Sequence, residues 1–197
     1  FCAVLMLLSG CSDPESGVKK FTVGFDSDFP PYGYVENGVY KGFDLDLARE
    51  VAKRNGWKIV LKPINWDAKD MELNSGSIDC IWNGFTMNGR EHAYEWSDPY
   101  VDNSQVVLVR KGSGIRDLAG LAGKIVAVQT DTPVQKALTK GGAREKLGRT
   151  FKRLIVSPNY NNAVMELEAG SVDAVAMDIG VAQMKLLSGG KFIQLSE

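Results

Sequence analysis

An α/β fold built as two similar lobes is predicted by three features of this sequence. Apolar, strand-like runs alternate with segments of helical period along the chain. Ser75-Gly76-Ser77-Ile78-Asp79 is echoed by Ala169-Gly170-Ser171-Val172-Asp173; each copy ends a helix on glycine and enters a strand on aspartate. Between the copies, Arg110-Lys111-Gly112-Ser113-Gly114 punctuates the chain. An echo of this kind marks two lobes rather than a repeat array. Open α/β sheets take ligands at the carboxyl ends of their strands, so two facing edges form a cleft at that hinge. The predicted boundaries are 21–108 for lobe 1, 109–113 for the hinge and 114–197 for lobe 2.

Each element has a local reason. Phe21–Phe25 reads as a strand, and Phe29-Pro30-Pro31-Tyr32 as a rigid loop because two prolines fix φ. Glu36-Asn37-Gly38 is a turn signal. Asp44 is expected to cap a helix carrying Leu45, Leu47, Ala48, Val51 and Ala52, with Gly56 as its stop. Strand Lys58–Leu61, a short helix Asp67–Asn74 and strands Asp79–Trp82 and Gln105–Val109 follow. The second run reads as helix Ile115–Leu121, strand Ile125–Gln129, a helix from Pro133, strand Leu154–Val156, helix Ala163–Ala169, strand Ala174–Met177 and helix Gly180–Leu187.

Composition excludes several classes. With 23 basic and 24 acidic residues and a net charge of −1, there is no basic excess to bind nucleic acid. One histidine and three cysteines argue against a metal centre, and no cofactor is implied. Residues 1–10 read as the tail of a signal peptide. Leu8-Ser9-Gly10-Cys11 resembles a bacterial lipobox, in which Cys11 is lipidated; the alternative is an ordinary secretory peptide. Residues 11–20 then form a polar tether, and Cys80 is left as a buried small hydrophobe.

The stretch Asp79–Tyr100 carries the chemistry. A strand breaks into Asn83-Gly84-Phe85-Thr86, and Arg90 follows four residues after Thr86. Glycine admits close backbone approach, threonine supplies a donor and arginine a planar fork. This is how a small carboxylate is gripped, and it points to recognition rather than bond breaking. Asp26, at the end of a strand, either closes an Asx-turn or meets a ligand donor. Asp178 either caps a helix or binds. His92 reads as a solvated residue, with no acid or nucleophile placed around it.

The order and spacing of Val23-Gly24-Phe25-Asp26, Phe29-Pro30-Pro31-Tyr32, Gly42-Phe43-Asp44-Leu45-Asp46-Leu47-Ala48, Gly84-Phe85-Thr86 with Arg90, Trp96-Ser97-Asp98-Pro99-Tyr100, Leu118–Lys124 and Gly170–Val175 resemble one family from Phe21 to the end. It is that of the extracytoplasmic solute-binding proteins of polar amino-acid ABC importers, which share the two-lobe periplasmic-binding-protein fold. The resemblance implies that Arg90 pairs with a ligand α-carboxylate, helped by Thr86. It implies that the Gly84 carbonyl and Asp178 take the α-ammonium, and that Phe29 covers the ligand. Trp66 stands where an aromatic wall commonly lies, Phe85 is counted with the ligand-binding residues as part of the Gly84-Phe85-Thr86 motif, and Asp26 and Gln129 occupy positions where a ligand side chain is met. Thr132, in Thr130-Asp131-Thr132-Pro133, caps a helix or binds; the family more often has Gly-Thr there. The loop from Thr86 to Arg90 is one residue shorter than usual, and Gly89 is expected to absorb the loss. The family's chain returns to its first lobe, whereas this sequence stops at Glu197 and reads as truncated at its C-terminus.

The implied role is to bind a free polar L-amino acid outside the membrane and deliver it to a membrane permease, as a monomer held by a lipid anchor. Asp26 favours a cationic or amide side chain, with cystine as a further candidate. The rival readings are a periplasmic dehydratase-like enzyme on the same fold and the ligand-sensing ectodomain of a receptor.

Overall fold

The computed structural model describes residues 17–195. The expected signal remnant, the lipidation site Cys11 and the start of the tether lie outside the described residues. The chain runs β1 (Lys20–Phe25), β2 (Asp28–Phe29), β3 (Gly33–Glu36), β4 (Val39–Lys41), α1 (Phe43–Arg54), β5 (Lys58–Pro63), α2 (Lys69–Asn74) and β6 (Cys80–Ile81). An irregular stretch, 82–104, leads into β7 (Gln105–Arg110). Then come β8 (Ile125–Gln129), α3 (Pro133–Leu138), α4 (Glu145–Gly148), β9 (Arg153–Ser157), α5 (Tyr160–Ala169), β10 (Ala174–Asp178), α6 (Ile179–Leu187) and β11 (Phe192–Gln194).

Two main sheets result. The first is parallel, in the order β5-β1-β6; the second is mixed, in the order β11-β7-β10-β8-β9. Strands β2, β3 and β4 form a small antiparallel sheet turned at Asn37 and Gly38, both at positive φ, as the Glu36-Asn37-Gly38 signal predicts. Every residue of β10 is buried, which suits an unbroken Ala-Val-Ala-Met run in a strand covered on both faces. One face packs Tyr160, Ala163, Leu167 and Val181 from α5 and α6. The other packs Leu121, Val134 and Leu138.

The internal echo is structural as well as sequential. Gly76 and Gly170 both take left-handed φ, +71° and +83°. Asp79 and Asp173 then each tie their strand to a parallel neighbour. Asp79 Oδ2 accepts from Thr22 N at 2.7 Å, and Asp173 Oδ2 from Ile125 N at 2.9 Å.

Three expectations are corrected. The strand predicted to close lobe 1 belongs to the second sheet, paired antiparallel with β10 and β11. Leu108 and Val109, both fully buried, point into the two opposite cores of that sheet. The crossing between sheets is therefore 82–104, not 109–113. Arg110 braces α5 instead, donating to the Leu167 and Val172 carbonyls at 2.5 and 2.8 Å. The predicted helix at Ile115–Leu121 shrinks to a single 3-10 turn, Ala119–Leu121, because Asp117 Oδ1 captures the Gly120 amide at 2.9 Å. Finally, Asp44 does not cap α1. Gly42 holds that position at φ +134°, where a Cβ would lie 2.1 Å from the Tyr32 carbonyl oxygen.

Asp44 sits one residue inside the helix, fully buried, and accepts from the Tyr100 hydroxyl at 3.0 Å. That bond anchors the crossing segment to α1. Burial pushes the Asp44 carboxyl up to about 6. The folded protein thus holds this proton more tightly than the unfolded chain. The resulting stabilisation is full below about pH 4 and is lost as pH rises through about 6. Asp44→Asn is expected to stabilise the protein by about 1–3 kcal/mol at pH 7.5 and to leave it nearly unchanged at pH 4, read by denaturant unfolding at both pH values.

Candidate ligand-binding site

The two main sheets face each other through a closed seam. Phe29 stacks on Tyr160 with ring centroids 5.9 Å apart. Tyr32 lies so close over α6 that a Cβ on Gly180 would sit 2.6 Å from its hydroxyl. Asn161 donates to Asp28 at 2.7 Å, and Lys136 to the Gly89 carbonyl at 3.1 Å. The predicted site residues fall along this seam in three groups.

At the first, Gly84, Thr86 and Asp178 converge. Gly84, at φ +55°, turns its carbonyl toward the seam from the end of the β6 segment. Asp178 ends β10 at the N-terminus of α6 but does not cap it. Its side chain accepts from Asn103 and Gln105 on Oδ1, each at 2.6 Å, and from Tyr160 on Oδ2 at 2.8 Å. Asn103 Nδ2 also reaches Thr86 Oγ1 at 3.2 Å and the Gly84 carbonyl at 3.5 Å. Three acceptors from both sides of the seam therefore surround one nitrogen. Burial raises the Asp178 carboxyl above its ordinary value, only partly offset by the bonds from Gln105, Tyr160 and Asn103. All three partners are neutral: they satisfy the carboxylate without cancelling its charge.

At the second, Arg90 donates from NH1 to the Thr86 carbonyl at 3.1 Å. Its NH2 donates to the Asp131 carbonyl at 2.5 Å and to Asp131 Oδ1 at 3.2 Å. Its guanidinium carbon lies 4.8 Å from the centre of the Phe85 ring. Gly89, in the loop between Thr86 and Arg90, takes φ +78°, a turn that glycine adopts without strain. Lys69, buried in α2, hydrogen-bonds Asp131 Oδ2 and stands 5.3 Å from the centre of the Trp66 ring. Trp66 in turn meets Phe85 edge-to-face at 5.0 Å. Burial pushes the Asp131 carboxyl up, but Lys69 and Arg90 together hold it below the usual carboxylate range.

At the third, Gln129 Nε2 donates to Asp26 Oδ2 at 2.8 Å, while Asp26 Oδ1 accepts from Asp28 N at 2.8 Å. The Asx-turn and the reach across the seam thus coexist in one carboxylate. Burial raises the Asp26 carboxyl against the lowering effect of these bonds. Thr132 caps α3, accepting from Gln135 N and donating to the Gln129 carbonyl at 2.8 Å. Asp26 and Trp66 open onto a recess of about 270 Å³; Gly84, Phe85 and Thr86 line another of about 560 Å³. Neither Arg90 nor Asp178 lines either recess.

Residues 21–161 match the profile of the bacterial extracellular solute-binding proteins, family 3. The chain belongs to that family. It is 30% identical over 176 residues to the arginine-binding extracellular protein ArtP of Bacillus subtilis, covering 89% of this chain and 67% of that protein. It is 32% identical over 138 residues to the L-cystine-binding protein TcyA of the same organism, covering 67% of this chain and 52% of that protein. A solved substrate-binding protein of an ABC uptake transporter from Streptococcus pneumoniae, with bound histidine, superposes with a TM-score of 0.84 at 30% identity. That match covers 90% of this chain and 74% of the other. The chain spans about half to two thirds of the length of the curated relatives it matches. The mixed α/β architecture is that of the periplasmic binding proteins.

Asn103, Gln105, Tyr160, Lys69 and Asp131 were not among the residues predicted for the site. Asn103 and Gln105 precede an apolar strand at alternate positions, a pattern that places both side chains on one face. No local signal marks Lys69, three residues after Trp66 on a short helix. Asp131 stands at φ +48°, a left-handed position that aspartate tolerates better than most residues.

Asp178→Asn keeps the shape and removes the buried charge. The raised carboxyl favours folding in its protonated form, a contribution lost as pH rises above the ordinary carboxylate range. The variant is therefore expected to melt higher than the parent at pH 7.5, with the difference shrinking toward pH 4, in paired thermal melts.

Proposed function

We propose that this protein binds a free polar L-amino acid outside the membrane and presents it to the permease of an ABC importer. The observation that carries this reading is the convergence of Gly84 O, Thr86 Oγ1 and Asp178 Oδ1 on one nitrogen. An amide nitrogen has two hydrogens to offer three acceptors, whereas an ammonium has three. An ammonium would also neutralise the Asp178 carboxylate, which Asn103, Gln105 and Tyr160 do not. Arg90, tied to Thr86 through its NH1, supplies the counterpart for an α-carboxylate.

The two ends of the ligand would bridge the lobes. Thr86, Gly84 and Arg90 come from the crossing segment beside the first sheet, and Asp178 from the second. Each pair is weak in water and strengthens when the closed cleft excludes it. Closure then depends on ligand, which provides the differential affinity that a transport receptor needs. Asp26 and Gln129 would meet the ligand side chain, with Trp66, Phe85 and Phe29 as walls. A carboxylate and a primary amide there favour a cationic or amide side chain. Relatives named for arginine and cystine bracket that choice. The relatives are named as binding proteins rather than as enzymes, which favours transport over dehydration chemistry. Lipidation at Cys11 would hold the protein at the membrane surface as a monomer.

Arg90→Ala is expected to weaken amino-acid binding by about 2–4 kcal/mol, because it strands a desolvated carboxylate. Calorimetric titration against the twenty amino acids and cystine checks this. Undiminished affinity in the variant would remove Arg90 from the site.

A further inference from the structure

Asp131 and Asn103 place a carboxylate and an amide nitrogen at the two ends of the clamp. We propose that Lys69 joins Arg90 in a two-cation carboxylate subsite, and that Asp131 is its built-in occupant, displaced when the ligand's α-carboxylate arrives. The inference rests on the amino-acid-binding reading and names two residues that reading does not use.

Lys69 is unusual in its burial. Its side chain is 2% exposed, whereas lysines are rarely buried so fully without a partner. The ammonium lies within cation–π range of Trp66 and Phe85, at 5.3 and 5.9 Å. Its close anionic partner is Asp131, 62 residues away and on the other side of the seam. The same carboxylate also engages Arg90 through Oδ1. One carboxylate thus bridges two cations, one oxygen to each.

Asp131 is the exposed member of this trio, with 49% of its side chain open to solvent against 15% for Arg90. It sits on the three-residue loop between β8 and α3 and belongs to neither apolar core cluster, so it can swing into water at the cost of its two ion pairs alone. Its departure would leave Lys69, which among the described residues keeps only Asp70 at 3.9 Å, and Arg90 with an excess of positive charge at the seam. A ligand carboxylate restores the balance one for one. Asn103 plays the matching part at the other end, its amide nitrogen lying where Gly84, Thr86 and Asp178 converge. Both halves of the clamp are therefore filled from within, and a ligand must compete with the protein's own groups.

The test uses calorimetric titration of the whole chain. The parent, Lys69→Met and Asp131→Asn are each titrated with L-arginine, L-histidine, L-glutamine and L-cystine, and with the α-carboxamide of whichever binds tightest. Lys69→Met is expected to weaken the amino acid at least tenfold while changing the carboxamide less than twofold. Asp131→Asn, on a half-exposed loop, is expected to tighten the amino acid at least threefold. Equal losses for acid and carboxamide would make Lys69 a packing residue and overturn the inference. So would weaker binding by Asp131→Asn, which decides alone if Lys69→Met does not fold. If the parent binds an amino acid and both variants bind it unchanged, the inference fails while the proposed function stands. If the parent binds none of the four, the proposed function fails and takes the inference with it.

Discussion

A buried carboxylate satisfied by neutral donors is the constraint around which this molecule is arranged. Asp178 is almost wholly removed from water, and each of its oxygens is hydrogen-bonded, yet among the described residues no cation pairs with it. Such an arrangement costs folding free energy that a cationic partner would offset. The α6 N-terminus supplies partial positive charge to the same carboxylate. Asn103, Gln105 and Tyr160 hold its oxygens in fixed directions. What the site lacks is a full positive charge at the point where three acceptors already meet.

The fold exists to bring that point together. Strand β10 is apolar along its length until its last residue, so Asp178 emerges where the sheet ends. Strand β7, antiparallel beside it, begins at Gln105, directly opposite Asp178 in register. The polar start of one strand thereby meets the polar end of the other. The crossing segment 82–104 then carries Gly84, Thr86 and Arg90 from the first sheet to the seam, anchored near its far end by Tyr100 on Asp44. The echoed Gly and Asp pairs at 76/79 and 170/173 build the two sheets by the same local device, which accounts for the likeness of the two halves.

Much of this was legible in the sequence, for identifiable reasons. Unbroken apolar runs such as Ile125–Gln129 and Ala174–Met177 became strands with little change, because strands buried on both faces leave no room for other patterns. The allocation of the expected strand Gln105–Val109 to the first lobe was a failure of another kind. Its strand character is local, but its partners lie about 70 residues downstream and are chosen by tertiary packing. Asp44 looked like a cap because it precedes a helical pattern, yet the entry angle of α1 against Tyr32 demanded glycine in the capping position two residues earlier. At the site, Gly84, Thr86, Arg90 and Asp178 carried recognisable spacing. Lys69, Asn103 and Asp131 did not, because the polar groups that engage them lie far away in the chain.

The central claim is that both ends of a zwitterion are read at once, one from each side of the closed seam. It is tested most directly by titrating the protein with its best-bound amino acid, the Nα-acetyl derivative and the decarboxylated amine. The account predicts that each blocked compound binds at least a hundredfold more weakly than the free amino acid, since each leaves one buried charge unpaired. If either compound binds as tightly as the amino acid, the clamp does not work as described.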